Sequence, residues 1–184
     1  MEINFCCLCG SPMETRIPID DDHTRSVCTQ CAHVHYENPK MVVGCIPVSG
    51  ERILMCKRNI EPRKGKWTLP AGYLETNESV QNGAARETLE ETKAEVLIID
   101  PYRLFNIVFV DQVYLMFRAQ VLTGEFGSTS ESMEVRLFRE KEIPWEEIAF
   151  EVIRQTLVDF FQDRKKNAYP FKVKDITRDQ IKNR

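Results

Sequence analysis

The order of apolar and polar positions divides the chain into a short polar head and a longer body. MVVGCIPV (41–48) is an almost unbroken apolar run and predicts a strand buried on both faces. Ser49-Gly50-Glu51 is a turn, and RILMCKR (52–58) predicts a second strand that completes a hairpin. EVLIID (95–100) predicts a short strand that Pro101 ends. YRLFNIVFV (102–110) and QVYLMFRAQVL (112–122) then predict a long hairpin about Asp111, whose Phe105, Phe109, Tyr114 and Phe117 point to a sheet edge. EVRLFRE (134–140) and FKVKDI (171–176) predict further strands, and TRDQIKNR a frayed polar end. The period changes twice. A helix capped by Thr76 or Asn77, with Glu78 in its first turn, should run to about Thr92 on a thin apolar face of Val80, Ala84, Ala85 and Leu89. A second helix, near 150–165, carries a stripe of Val152, Ile153, Thr156, Leu157, Phe160 and Phe161. Strands and helices mix without a strict βαβ repeat, so a mixed sheet flanked by helices is expected.

The first helix carries the candidate chemistry. Glu87 and Glu91 lie one turn apart with Glu90 between their rows, and Arg86 is one turn before Glu90. Three carboxylates on one face repel and weaken a helix. For an arbitrary Glu-rich helix a solvated acidic face is the ordinary reading; this spacing shifts it, because hard oxygen ligands on one rigid element suit Mg²⁺ or Mn²⁺.

Gly72, Glu78, Arg86, Glu87, Glu90 and Glu91 stand in the register of the Nudix box, G-x5-E-x7-R-E-U-x-E-E-x-G-U with U a bulky aliphatic, and the stretch resembles it plainly. Thr88 and Ala94 occupy aliphatic places, and Lys93 stands where a glycine usually ends the helix in a left-handed turn. The resemblance implies an α/β/α Nudix sandwich. It implies a metal-dependent hydrolase in which Glu87, Glu90 and Glu91 hold Mg or Mn, Arg86 anchors those carboxylates, and Gly72 lets the backbone turn beside the ions. Many such proteins place another metal-binding or base carboxylate after the box; Glu131, on the loop, is favoured here over Glu134. Family analogy also implies a homodimer.

The polar head holds Cys6-x2-Cys9 and, after eighteen residues, Cys28-x2-Cys31. Two such pairs fit a four-thiolate Zn site. Cys6 is preferred to Cys7 because it reproduces the spacing of the second pair; His33 and His35 are left as ordinary polar residues. The expected organisation is a zinc ribbon over 1–37, structural because its ligand shell is closed, and a Nudix hydrolase domain over 38–184. Between strand and box, Arg58 and Arg63 lead a basic loop suited to an anionic phosphate substrate, and Trp67 is expected to pack.

Composition narrows the rest. The chain has 184 residues, 42% of them hydrophobic, and a net charge of −3, which does not favour nucleic acid held by bulk charge. No run of about 20 apolar residues predicts a membrane span, and the start of the chain lacks the layout of a signal peptide. Seven cysteines, an odd number spaced for metal, indicate a reducing, cytoplasmic setting. A zinc ribbon before a Nudix box resembles the NADH pyrophosphatases, but their SQPWPF-type segment is missing. YENPKMVVGC, CKRNIEP, WTLPAGYLE and SESMEVRLF resemble the zinc-ribbon FAD and ADP-ribose pyrophosphatases of plants. Cleavage of FAD to FMN and AMP, or of ADP-ribose to AMP and ribose 5-phosphate, is therefore expected. The alternatives are NADH cleavage and, from a different class, a nucleotide-sensing Nudix module without catalysis.

Overall fold

The computed structural model describes residues 3–122 and 124–182, in two compact units that divide between Asn38 and Pro39. The first unit is a three-stranded antiparallel sheet: β1 (Met13–Arg16), β2 (Arg25–Cys28) and β3 (Val34–His35), in that order. The β1–β2 connection turns through Asp20 at φ 65°.

The second unit begins with β4 (Lys40–Ser49) and β5 (Arg52–Arg58). They pair only beside their turn, Val48 with Ile53 and Ser49 with Arg52, and then splay apart. The predicted hairpin is thus a fork. Two short strands fill it: β6 (Trp67–Thr68) pairs with β5, and β7 (Ala71–Tyr73) pairs with β4. The close approach of β7 requires Gly44, where a Cβ would lie 2.4 Å from the Ala71 Cβ and 2.6 Å from the Pro70 carbonyl oxygen.

Helix α1 (Val80–Thr92) follows, then β8 (Val96–Ile107), β9 (Gln112–Val121), β10 (Ser132–Phe138), α2 (Glu151–Lys166), β11 (Lys172–Asp175) and α3 (Arg178–Lys182). The main sheet runs β10-β5-β4-β9-β8-β11. It is mixed, because β4 pairs with β9 and β11 with β8 in parallel while the other pairs are antiparallel. Period-two alternation sorts its side chains. Val43, Cys45, Phe117 and Ala119 cluster with Ala84 of α1; Ile46, Met55 and Met116 join the larger core with Val152, Leu157 and Phe160 of α2. A mixed sheet between one helix on each face is the expected α/β/α arrangement. Among the described residues no helix is long and apolar enough to cross a membrane.

Five local expectations are corrected. Pro101 does not end a strand: β8 runs through it, with shifts in register on either side. The β8–β9 pair is not an edge, because β11 covers β8. The cap of α1 is Ser79, whose hydroxyl accepts from the Asn82 amide, so Glu78 lies before the helix. Its inward face is Gly83, Ala84, Thr88 and Thr92, with Val80 packed at its margin as expected and Leu89 turned outward; the two threonine hydroxyls donate to carbonyls one turn back, which lets them enter a core. The polar tail is helical at Arg178–Lys182, and residues 183 and 184 lie outside the described residues.

Charge is buried where apolar periodicity gave no sign of it. Arg103 is 1% exposed and donates to Asp159 (2.7 Å) and Asp163 (2.6 Å) of α2 and to the Pro170 carbonyl (2.6 Å). The Tyr102 hydroxyl donates to the same Asp163 oxygen at 2.8 Å. Arg103→Leu would leave Asp163 to the Tyr102 hydroxyl and Asp159 to Lys174, and a loss of about 3–5 kcal/mol is expected because a buried ion pair broken on one side is costly. The urea midpoint measures it; a loss under about 1 kcal/mol would show the network to be dispensable.

Candidate active site and metal centre

In the first unit the Sγ atoms of Cys6, Cys9, Cys28 and Cys31 lie within 4.8 Å of one another. Cys6–Cys31 is 3.7 Å, and Cys9–Cys28 and Cys9–Cys31 are 3.5 Å each. Ligands about 2.3 Å from a tetrahedral zinc stand roughly 3.8 Å apart, whereas a disulfide would bring them to about 2.05 Å. The donor set and spacing therefore fit Zn, whose role with a closed thiolate shell is to hold the ribbon together. Backbone amides of Leu8, Gln30 and Cys31 donate to ligand sulfurs. Hydrogen bonds from Ser11 pull the Cys9 thiol down to about 6, so it ionises readily. Cys7 stands apart, with its sulfur 3.6 Å from His33 Nε2. Cys28→Ser is expected to abolish stoichiometric zinc in the purified protein, read by elemental analysis; a full equivalent retained would contradict the assignment.

In the second unit, α1 presents its acids to a cleft of about 1100 Å³. Glu87, Glu90, Glu91, Arg86, Gly72, Arg58, Arg63 and Glu131, all singled out from sequence, line it. Glu134 is not among its lining residues. The fork in the sheet builds this place: it leaves room for residues 67–73, which bring the β7 backbone against α1.

Arg86 organises the acids. Its guanidinium donates through Nε and Nη2 to the two oxygens of Glu78 (3.1 and 2.8 Å), through Nη1 to Glu87 (2.7 Å) and Glu90 (2.9 Å), and through Nη2 to the Tyr73 carbonyl (3.2 Å). The pairing with Arg86 holds Glu78 below the usual carboxylate range. Glu78 also accepts from the Glu75 amide at 2.8 Å, so it ties the loop before the helix to Arg86.

The three acids differ in surroundings. Glu91 is 5% exposed, and burial pushes its carboxyl up to about 7. Its Oε2 accepts from the Ala71 amide at 3.1 Å and lies 3.6 Å from the Cys56 thiol. Glu87 is 9% exposed and is also raised by burial, with Arg86 opposing. The side chain of Glu90 is 54% exposed. The three are not gathered as tightly as the cysteines, since among the described residues only the four cysteines and the trio Asp21, Asp22 and His23 bring three or more ligand atoms within 4.8 Å of one another. Gly72 lies directly against Glu87: a Cβ there would fall 2.2 Å from Glu87 Oε2. Two buried carboxylates that resist ionisation, with backbone pressed against one of them, form a donor set and cradle that fit a hard divalent cation.

Arg58 donates through Nε to the Pro62 carbonyl at 2.8 Å, which folds the basic loop back, and its guanidinium sits 5.2 Å over the Phe150 ring. Arg63 adopts φ 66° in that loop. Asn59 joins the loop to the segment bearing Glu131 by donating from its amide to the Glu131 carbonyl at 2.7 Å and from its side chain to Ser130. Trp67 packs edge-on against Phe138, as expected. Sequence reasoning missed the Ala71 amide, Cys56 and the Tyr73 carbonyl as supports. Ile176 in the cleft lining has no signal in the sequence, where Phe109 and Tyr114 mark a sheet edge that packs or recognises something.

The chain is 46% identical to a NUDIX hydrolase of known structure from Nitrosomonas europaea, over 95% of this chain and 99% of that one, with a TM-score of 0.92. It is 28% identical to the NAD-capped RNA hydrolase NudC of Vibrio cholerae over 88% of this chain and 60% of that protein. It is 30% identical to NudC of Pseudomonas aeruginosa over 71% of this chain and 45% of that protein. The chain thus spans roughly half to three-fifths of the length of these curated relatives. An ADP-ribose pyrophosphatase from Streptococcus suis shares the fold at 17% identity, with a TM-score of 0.62 over 76% of this chain and 100% of that one. The family model described as Nudix N-terminal matches residues 4–37 and that described as NUDIX domain matches 38–160, so the chain belongs to the NUDIX hydrolase family, with a zinc ribbon ahead of its catalytic domain.

Proposed function

We propose that this NUDIX pyrophosphohydrolase cleaves the anhydride of a nucleoside diphosphate linked to a second moiety, with FAD and ADP-ribose as its substrates. The observation that carries this reading is one cleft holding Glu87, Glu90 and Glu91 together with Arg58 and Arg63. Glu87 and Glu90 each commit one oxygen to Arg86, and Glu91 commits one to the Ala71 amide. The remaining oxygens are the ones that would hold Mg²⁺ or Mn²⁺. Such ions, when bound, neutralise the diphosphate and make a coordinated water nucleophilic near neutral pH.

The chain's own groups do the rest. Arg86 fixes the directions of Glu87 and Glu90 through a guanidinium that Glu78 and the Tyr73 carbonyl hold in turn. Arg58 and Arg63 give charge-assisted hydrogen bonds to phosphate oxygens and orient the anhydride for in-line attack. Glu131 takes a proton from the attacking water. One P–O bond of the anhydride breaks as one forms to the water oxygen, leaving two phosphate monoesters. The enzyme works in the cytoplasm, where its seven unpaired cysteines stay reduced, and as a homodimer.

A second reading is favoured by the names of the curated relatives, which are NAD-capped RNA hydrolases: the linked moiety is then nicotinamide ribose. Turnover of a panel of FAD, ADP-ribose, NADH, NAD-capped RNA and nucleoside triphosphates with Mg²⁺ or Mn²⁺ separates these readings. The first expects AMP with FMN or ribose 5-phosphate. Preference for NADH or capped RNA would establish the second, and cleavage of triphosphates alone would overturn both.

A further inference from the structure

We propose that Ile176, delivered by the C-terminal segment, forms with Phe109 and Tyr114 the wall of the cleft against which the flat, uncharged aromatic ring of the substrate packs. This rests on the nucleotide reading above and assigns the ring-binding end of the same cleft. The segment lies beyond the residues matched as NUDIX domain, which end at 160.

The chain is brought back to the cleft by a series of anchors. α2 ends at Asn167, in the left-handed conformation at φ 48°. Arg103 then holds the Pro170 carbonyl, and Lys174 reaches Asp159 at 2.6 Å. β11 lies parallel to β8 in the register Lys172 with Arg103 through Asp175 with Asn106. Asn106 closes the match twice: its side chain donates to Asp175 at 2.9 Å, and its carbonyl accepts from the Ile176 amide at 2.9 Å. Ile176 arrives 3% exposed, part of the larger core and among the residues that line the cleft. Two residues on, the Arg178 guanidinium lies 5.6 Å over the ring of Phe109, which sits half-buried in the single helical turn Val108–Val110 between β8 and β9. A buried arginine, a parallel strand and a cation–π contact thus converge on one apolar side chain in the cleft.

The chemistry of this end is unlike that of the other. Glu87, Glu91 and Arg58 are ionisable, whereas Ile107, Phe109, Tyr114 and Ile176 are apolar or neutral and lie in or against one hydrophobic cluster; burial raises the Tyr114 phenol to about 12, so it keeps its proton at any working pH. A phosphate or bare sugar placed there would lose hydration without return, whereas a planar ring gains apolar burial and edge or face contact with the two aromatics. Adenine and isoalloxazine share that chemistry.

The test uses the intact chain with Phe109→Ala, Arg178→Ala and Ile176→Ala. Steady-state kinetics with FAD and ADP-ribose, and the affinity of AMP and of ribose 5-phosphate by calorimetry, are the readouts. For Phe109→Ala and Ile176→Ala the expected result is a rise of about tenfold in KM and in the AMP dissociation constant, as loss of one ring contact implies, with kcat changed far less and ribose 5-phosphate binding unaffected. Arg178→Ala should move the same quantities in the same direction by a smaller factor. A fall in kcat at constant KM, which simple loss of folded enzyme would give, overturns the proposal, as does unchanged AMP affinity in Phe109→Ala. If wild type cleaves neither FAD nor ADP-ribose the substrate reading fails, and AMP affinity still decides whether the wall holds a ring.

Discussion

Glu91→Gln leaves a folded protein with about a thousandth of the wild-type turnover, or less. The amide has the shape of the carboxyl and can still accept from Ala71, so the buried site stays filled. What it lacks is the negative charge a hard cation requires, and losses of that order follow when a group central to metal-assisted hydrolysis is removed. Glu90→Gln should act in the same direction. The variant also separates charge from packing through pH. The folded chain keeps a proton on Glu91 up to about pH 7, against 4.5 for an ordinary glutamate. The folded state therefore binds more protons than the unfolded one between those values. This stability is fully present below 4.5 and lost as pH rises through 7, at a cost of about 3 kcal/mol in the metal-free protein. Without metal, Glu91→Gln should melt above wild type at pH 8 and level with it near pH 4.5. Mn²⁺ should raise the melting point of wild type at pH 8 and leave the variant nearly unmoved. Full activity in Glu91→Gln, or equal melting of the two metal-free proteins at pH 8, would remove Glu91 from the account.

Gly72→Ala is the second large effect, from the smallest change. The new methyl would fall 2.2–2.4 Å from all three atoms of the Glu87 carboxyl group, far inside van der Waals contact. Either Glu87 turns away or β7 shifts, and β7 carries both the Ala71 amide that holds Glu91 and the Tyr73 carbonyl that holds Arg86. One methyl thus disturbs the orientation of several acids. A misplacement of about 1 Å in such a site costs on the order of 10²-fold in rate. The expected result is that loss in kcat/KM with weakened Mn²⁺ binding; wild-type kinetics would mean the glycine is not pressed against the site.

Much of this was legible in the sequence because the chemistry is periodic. Glu87, Glu90 and Glu91 had to share a face once they lay on a helix, and Cys6 rather than Cys7 followed from matching the spacing of the second pair. Failures came where polar groups satisfied one another across space. Thr88 and Thr92 look wrong for an inward face until their hydroxyls are seen to bond carbonyls one turn back. Arg103 looks like a surface residue of a strand, but its partners Asp159 and Asp163 lie more than fifty positions away. Pro101 has every local reason to end a strand, and a bulge in the pairing with β9 accommodates it. Lys93 stands where a glycine was wanted and adopts φ 62° regardless, with its amide bonded to the Leu89 carbonyl, at a strain of about 1 kcal/mol. The fork between β4 and β5 could not be read from the two strands alone, because it depends on which segments later fill it.

The proposed chemistry requires divalent cations between α1 and β7, on Glu87, Glu90 and Glu91. Anomalous diffraction from a crystal soaked in Mn²⁺ should show manganese peaks within about 2.3 Å of oxygens of those carboxylates, inside the cleft. Manganese bound elsewhere, with the three side chains still held only by Arg86 and Ala71, would contradict it.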